Sequence, residues 1–202
     1  MERGRPRIFD EEHALDAALG IFWRNGYQGT SLADLTNAMG ISKPSMYAAF
    51  GNKENLYLRA LERYRQKHLK KHAETLAAEP DLKKAMRGFL RSVASMLAAP
   101  DLPGGCMVVN CAVAFNTPAL PADIVDAIGQ TVDQSSISLI KQRLQEELKR
   151  RKIPKSTSIE QLADYYATLM SGMAIMAKVG VSEDRLFDII EHSLHALPIS
   201  GK

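Results

Sequence analysis

Apolar residues recur along this chain at three- and four-residue spacing, and most runs open on a capping residue and close on glycine or proline, the punctuation of helices. The most constrained stretch runs from Thr30 to Lys53. Ser31 followed by Asp34 makes a capping box, in which the hydroxyl accepts from first-turn N–H groups and the carboxylate adds favourable charge, so a helix starts at Ser31. Leu32, Leu35, Ala38 and Met39 form its apolar stripe, and Gly40 supplies the left-handed conformation that ends it. Ile41 plugs the turn. Ser42 caps a second helix, with Pro44 in a first turn where a missing N–H costs little, and Met46 and Phe50 make its buried face. Two short helices about a Gly-containing turn make a helix-turn-helix, although the same spacing also fits two surface helices of an ordinary helical protein.

The flanking patterns are helical too. Asp10 caps a helix reaching Asn25, whose Leu15, Ala18, Leu19 and Phe22 lie under the two short helices, with Trp23 and Tyr27 completing a small core. From Lys53 to about Ala78 the pattern reads as one long helix packing through Leu56, Leu61, Tyr64 and Leu69, a rigid rod suited to act as a lever. Asp81 caps a helix to about Ala99 that carries Met86, Phe89, Leu90, Val93, Met96 and Leu97. Cys106 to Phe115 (CMVVNCAVAF) is rich in β-branched residues, but the chain offers no second strand to pair its backbone, so it reads as a buried helix. Pro121 or Ala122 opens a long helix to about Lys152, with Ile124, Val125, Ile128, Val132, Ile137, Ile140 and Leu144 inward. Ser158 and Ser182 cap the last two helices, which reach about Lys178 and Leu197 and carry more apolar surface than one neighbour covers. The sum is an all-α chain of about nine helices.

The second short helix leaves Lys43, Pro44, Ser45, Tyr47 and Ala48 on its outer side, with no carboxylate to repel phosphate. Such a face suits a major groove: lysine donates to guanine edges or phosphates, serine donates or accepts, alanine packs on a thymine methyl and tyrosine reaches phosphate. At Gly51-Asn52-Lys53 another helix begins, whose free N–H groups and lysine charge can together hold a phosphate. Gly26-Tyr27, Thr30-Ser31-Leu32, Asp34-Leu35, Met39-Gly40-Ile41-Ser42, Met46-Tyr47, Phe50 and Lys53-Glu54-x-Leu56 resemble the N-terminal signature of the tetracycline-repressor (TetR/AcrR) family, over Arg5 to about Tyr64. Ala48 and Ala49 depart from the larger or polar residues many members carry, so no side-chain phosphate contact is carried over to Ala49.

The resemblance implies a helix-turn-helix DNA-binding domain (1–52) with a basic N-terminal arm, joined by the long helix to a larger helical ligand-binding and dimerisation domain (53–202). The implied DNA contacts are Arg5, Arg7, Thr30, Ser31, Ser42, Lys43, Pro44, Ser45, Tyr47 and Lys53. A small-molecule pocket falls among Met86, Phe89, Met96, Cys106, Met107, Asn110, Phe115, Tyr165, Tyr166, Met170 and Met173. Asn110 is either its polar handle or a buried amide satisfied by backbone. The last two helices pair with their copies into a homodimer, which matches operator half-sites about one helical turn, roughly 34 Å, apart. The function implied is a ligand-responsive transcriptional regulator, a repressor released from double-stranded operator DNA by a small-molecule inducer.

Charge and composition refine this picture. The net charge of +3 is modest, but Arg3, Arg5 and Arg7 precede the helix-turn-helix, while Arg59, Arg63, Arg65, Lys67, Lys70 and Lys71 follow it. No apolar run approaches the roughly 20 residues of a membrane span. MERGRPR lacks the apolar region of a signal peptide. With only Cys106 and Cys111, a cytoplasmic protein with reduced thiols is expected. Cys106, after Pro103-Gly104-Gly105, falls at a helix N-terminus that favours thiolate, so a thiol-based redox or electrophile sensor is the alternative reading, with Lys178 either stabilising that thiolate or capping its own helix. His68 and His72 have metal-ligand spacing, but no acid or thiol completes a set, and no metal or cofactor is expected. With no Gly-rich phosphate loop and no nucleophile beside a base, an enzyme is not expected; non-specific DNA compaction is the remaining competitor.

Overall fold

The computed structural model describes residues 9–112, 120–133 and 136–199, and they are helical throughout their regular elements. Arg5, Arg7 and Phe115, and the side chains of Cys111 and Val132, lie outside the described residues. Eleven α-helical segments are described, because the two long helices expected at 53–78 and 121–152 each fall into two segments.

The first three segments follow their capping signals. Helix α1 (Glu11–Asn25) starts where the Asp10 carboxylate accepts from the N–H groups of Glu12 and His13. Helix α2 (Leu32–Met39) has the full capping box: Asp34 N–H donates to the Ser31 hydroxyl and Ser31 N–H to the Asp34 carboxylate. Gly40, at φ 64° and ψ 29°, ends it in the left-handed region where a side chain is strained. Leu35 and Met39 are buried, but Ala38, expected on the same stripe, is exposed. Helix α3 (Lys43–Phe50) has Ser42 at its cap and buries Met46 and Phe50.

The rod after the helix-turn-helix consists of α4 (Lys53–Tyr64), a π-helical turn at Arg65–Leu69 and α5 (Lys70–Ala78). A π turn inserts one residue and rotates everything beyond it, and such turns gather at functional places in helices. Its effect here is to change which core the rod serves. Leu56, Tyr57, Ala60, Leu61 and Tyr64 enter one core with Phe22, Trp23, Leu35 and Met46, whereas Leu76 enters another with Phe89, Leu90 and Tyr166. His68 packs edge-on to Trp23 at 5.0 Å between ring centroids, while His72 turns to Ser92 and Met96, so the face the two histidines share in a regular helix is broken.

Helices α6 (Leu82–Ala98), α7 (Met107–Ala112), α8 (Ala122–Asp133), α9 (Ser136–Lys149), α10 (Ile159–Lys178) and α11 (Glu183–Ser193) complete the chain. They do not all belong to the second core. Met107 and Val108 of α7 and Ile124 and Ile128 of α8 are buried in the first, against α1 and α4. The second core is built on α5, α6, α9, α10 and α11, and Tyr166 O–H donates to the Ser193 carbonyl within it. Outside the cores, Arg63 binds Asp16 through Nε and Nη2 at 2.9 and 3.1 Å and Lys67 joins at 2.6 Å, clamping the rod to α1. The Arg63 hydrogen bonds hold the Asp16 carboxyl down at about 2.

Candidate DNA-reading face and ligand cavity

The outer face of α3 presents Lys43, Pro44, Ala48 and Tyr47, the last with 44% of its surface exposed. The Ser42 hydroxyl accepts from Ser45 N–H, and the two serine hydroxyls stand 2.9 Å apart, so Ser45 is half-buried over the helix start. Ser31 is exposed with its hydroxyl given to Asp34. Thr30 does not belong on this face: it is buried, and its hydroxyl donates to the Gly26 carbonyl at 2.6 Å, fastening the turn after α1. The expectation that Thr30 reaches DNA is corrected accordingly.

Tyr27, Glu54 and Arg59 hold Lys53 and this face in place, and the sequence pattern did not single these three out for the purpose. The Lys53 ammonium lies 4.2 Å from the centroid of the Tyr27 ring, a cation–π contact that holds its charge at the start of α4, where burial pushes its pKa down. Tyr27 O–H donates to Glu54 at 2.7 Å. Arg59 donates to the Ala49 carbonyl and lies 4.6 Å from the Phe50 ring, so α4 grips the end of α3. In the sequence Tyr27 and Glu54 stand in the family-like signature and Arg59 in the basic run after it, with nothing to pair them.

A cavity of about 100 Å³ lies where the rod, α6, α7 and α10 meet. It is lined by Leu69 and His72 of the rod, Val93, Met96 and Leu97 of α6, and Cys106, Val108 and Val109 of the next segment. Ile137 of α9 and Ala167, Met170 and Ser171 of α10 close it. Of the expected ligand residues, Met96, Cys106 and Met170 meet here. Met86 and Phe89 lie one to two turns nearer the start of α6, inside the second core, and Tyr166 and Met173 occupy the face of α10 beside the lining one. Met107 is buried in the first core. These five are core residues, not walls of this cavity. Tyr165, 42% exposed, lines a separate open groove with residues of α11.

Asn110 resolves toward its structural alternative: its amide Nδ2 donates to the Trp23 carbonyl at 3.1 Å. That bond is one of three tying the end of α1 to the other half of the molecule. Trp23 Nε1–H donates to the Gly105 carbonyl at 3.1 Å, and Lys178 Nζ donates to the Arg24 carbonyl at 3.2 Å. Lys178 thus caps α1, not its own helix. Gly105 has φ 68°, and a Cβ there falls 2.9 Å from the Ala174 carbonyl, so the close approach of this turn to α10 requires glycine. Next to it, Cys106 is half-buried at the start of α7 and its Sγ accepts from Tyr64 O–H at 3.3 Å. A cavity wall is therefore bonded directly to the last residue of α4.

His72 is the buried polar side chain of the cavity wall; Ser171, which also lines it, is exposed. His72 is 4% exposed, with Nδ1 2.6 Å from Ser92 Oγ and Nε2 3.5 Å from Met96 Sδ. Burial, helped by the nearby His68 and Lys71, pushes its pKa down to about 4 and keeps it neutral at physiological pH. Among the described residues no group of three His, Cys, Asp or Glu side chains is arranged to hold a metal ion, and no helix is long and apolar enough to cross a membrane.

Comparison with known proteins gives matching results from sequence and shape. Residues 14–60 match the model of the bacterial regulatory proteins of the tetR family, and residues 83–192 match that of the tetracyclin repressor-like C-terminal domain. The transcriptional repressor ComR of Escherichia coli K12 is 33% identical over 199 residues, 97% of this chain and 92% of ComR. The uncharacterized regulator YezE of Bacillus subtilis 168 is 30% identical over 96% of this chain and 99% of YezE. A cysteine-substituted CifR, solved in complex with a 26-base-pair double-strand operator DNA, is 35% identical, with a TM-score of 0.89 over 96% of this chain and all of that one.

Proposed function

The chain belongs to the TetR family of transcriptional regulators, and on that footing we propose that it is a homodimeric repressor whose α3 enters the major groove of an operator until a small molecule fills the cavity beside the rod. The residues up to 52 bind DNA, and those from 53 onward bind ligand and dimerise. Lys43, Ser45 and Tyr47 on α3, with Lys53 at the start of α4, supply the local contacts, most of them to phosphate. The second copy docks on the last two helices, where Tyr165, Ile175 and Val179 stand 42%, 51% and 75% exposed. The protein works in the cytoplasm, where its operator is, and carries out no catalysis.

One observation carries the regulatory part. The cavity is walled by the π turn of the rod and by Cys106, and the same turn of chain holds Tyr64 and Trp23. Filling it moves groups bonded to α4 and α1, the two helices on which α2 and α3 rest. A ligand shifts the equilibrium only by its differential affinity for the operator-bound and released forms, so it must fit a cavity shape that strains those bonds. A second reading rests on the Tyr64–Cys106 bond: alkylation or oxidation of the thiol adds bulk at that sulfur, displaces the Tyr64 hydroxyl and acts on the same lever.

Selection from random double-stranded DNA tests the proposal. The protein enriches a twofold-symmetric sequence whose half-sites lie one helical turn or a multiple apart. Recovery of unselected sequence, with equal affinity for all of it, rejects the repressor reading in favour of DNA compaction.

A further inference from the structure

The hydrogen bonds of His72 fix more than its position. A thioether sulfur has no proton to give, so the Nε2 contact to Met96 is a hydrogen bond only if Nε2 carries the proton. Neutral imidazole then has its lone pair on Nδ1, which accepts from the Ser92 hydroxyl. In that tautomer the cavity presents a buried N–H donor facing a weak acceptor, since sulfur accepts poorly beside oxygen. None of the described lining residues carries a formal charge. An anion finds no lysine or arginine there and a cation no carboxylate, so either pays the full cost of leaving water.

We propose that this cavity takes a small, uncharged, largely apolar molecule bearing one hydrogen-bond-accepting oxygen, such as a ketone, ester or cyclic ether, with that oxygen accepting from His72 Nε2–H in place of the Met96 thioether. The inference deepens the proposed inducer reading and names its chemistry. The space, about 100 Å³, suits roughly six to ten non-hydrogen atoms. Val93, Leu97, Val108, Val109 and Ile137 surround the apolar body, and Met96, unbranched and adaptable, gives way to the oxygen.

Four probes of similar size test it: cyclohexanone, methylcyclohexane, cyclohexylammonium and cyclopentanecarboxylate, each titrated into protein carrying 13C-methyl methionine. The Met96 methyl signal shifts saturably with cyclohexanone, at a dissociation constant about tenfold below that for methylcyclohexane, and neither ion moves it. His72→Phe abolishes the preference for the ketone. Met96→Leu, a near-isosteric change that removes the competing acceptor and is tolerated in a core, is read on the methyl of Met170, which also lines the cavity; it raises ketone affinity several-fold and leaves the hydrocarbon unchanged. The proposal is overturned if methylcyclohexane or either ion binds as tightly as the ketone, if none of the four shifts Met96, or if Met96→Leu gives no gain, an outcome readable even where His72→Phe does not fold. Operator binding is read separately by gel shift. Ketone binding that leaves the operator complex intact keeps this inference and rejects the inducer reading.

Discussion

Arg143→Met lowers folding stability by about 3–5 kcal/mol, measured by urea denaturation at neutral pH. Arg143 is 6% exposed and spends its donors on four acceptors: Nε on Glu147 Oε1 at 3.0 Å, Nη1 on the carbonyls of Leu76 and Glu79 at 2.9 and 2.8 Å, and Nη2 on that of Pro80 at 3.1 Å. Those carbonyls end α5, so one guanidinium from α9 closes the far end of the rod. Glu147 is fully buried, and its Oε2 has no hydrogen-bond partner, with Lys152 Nζ at 4.0 Å. Removing Arg143 leaves that carboxylate and three helix-end carbonyls without their donor, whereas removing both members exchanges an ion pair for apolar packing. Arg143→Met with Glu147→Leu therefore recovers the part of the loss that comes from the stranded carboxylate and not the part from the three carbonyls, with a coupling above about 1 kcal/mol in the double-mutant cycle. A single-variant cost under about 1 kcal/mol would falsify the assignment of Arg143 as the hub of this joint.

The second large effect is on DNA. Tyr47→Ala combined with Lys53→Ala weakens operator affinity about 100-fold at fixed salt and reduces the salt dependence by about one counterion, the signature of a lost lysine–phosphate contact. Folding hardly changes, because Tyr47 is exposed and Lys53 contributes one stacking contact on Tyr27. Lys53→Ala alone weakens selected and unselected DNA alike, since phosphate contacts carry no sequence information. Unaltered operator affinity in the double variant rejects the docking described for α3 and α4.

The helices were legible because their ends are written in side chains: Asp10, Ser31, Ser42 and Asp81 each accept from first-turn N–H groups, and Gly40 stops α2. The change of face at Arg65–Leu69 was not, because a π turn leaves no trace in a 3.6-residue period read across it. That one residue explains why His68 and His72, neighbours on a regular helix, turn to different partners, Trp23 for the first and Ser92 with Met96 for the second. The assignment of Met107, Ile124 and Ile128 to the first core was equally hidden, since periodicity tells which face is buried and not against what. On the proposed DNA face Lys43 and Tyr47 are exposed, whereas Thr30 is buried with its hydroxyl on the Gly26 carbonyl, a local acceptor that no periodicity announces. For the cavity, composition pointed to methionine and aromatic residues, but buried Phe89, Tyr166 and Met173 look the same in sequence whether they fill a core or line a space. His72 entered the sequence reading only through its spacing to His68; what makes it the cavity's donor is its contact with Met96, which no local pattern announces.

The central claim, that α3 lies in the major groove with Ala48 against base edges, is tested most directly by photo-cross-linking from position 48 on selected DNA. With a benzophenone amino acid there, cross-links fall on major-groove bases at two symmetric positions separated by about 34 Å or a multiple of it. The same group at position 155, exposed in the turn before α10, gives no cross-link to DNA. Cross-links absent from position 48, or arising instead from position 155, contradict the account.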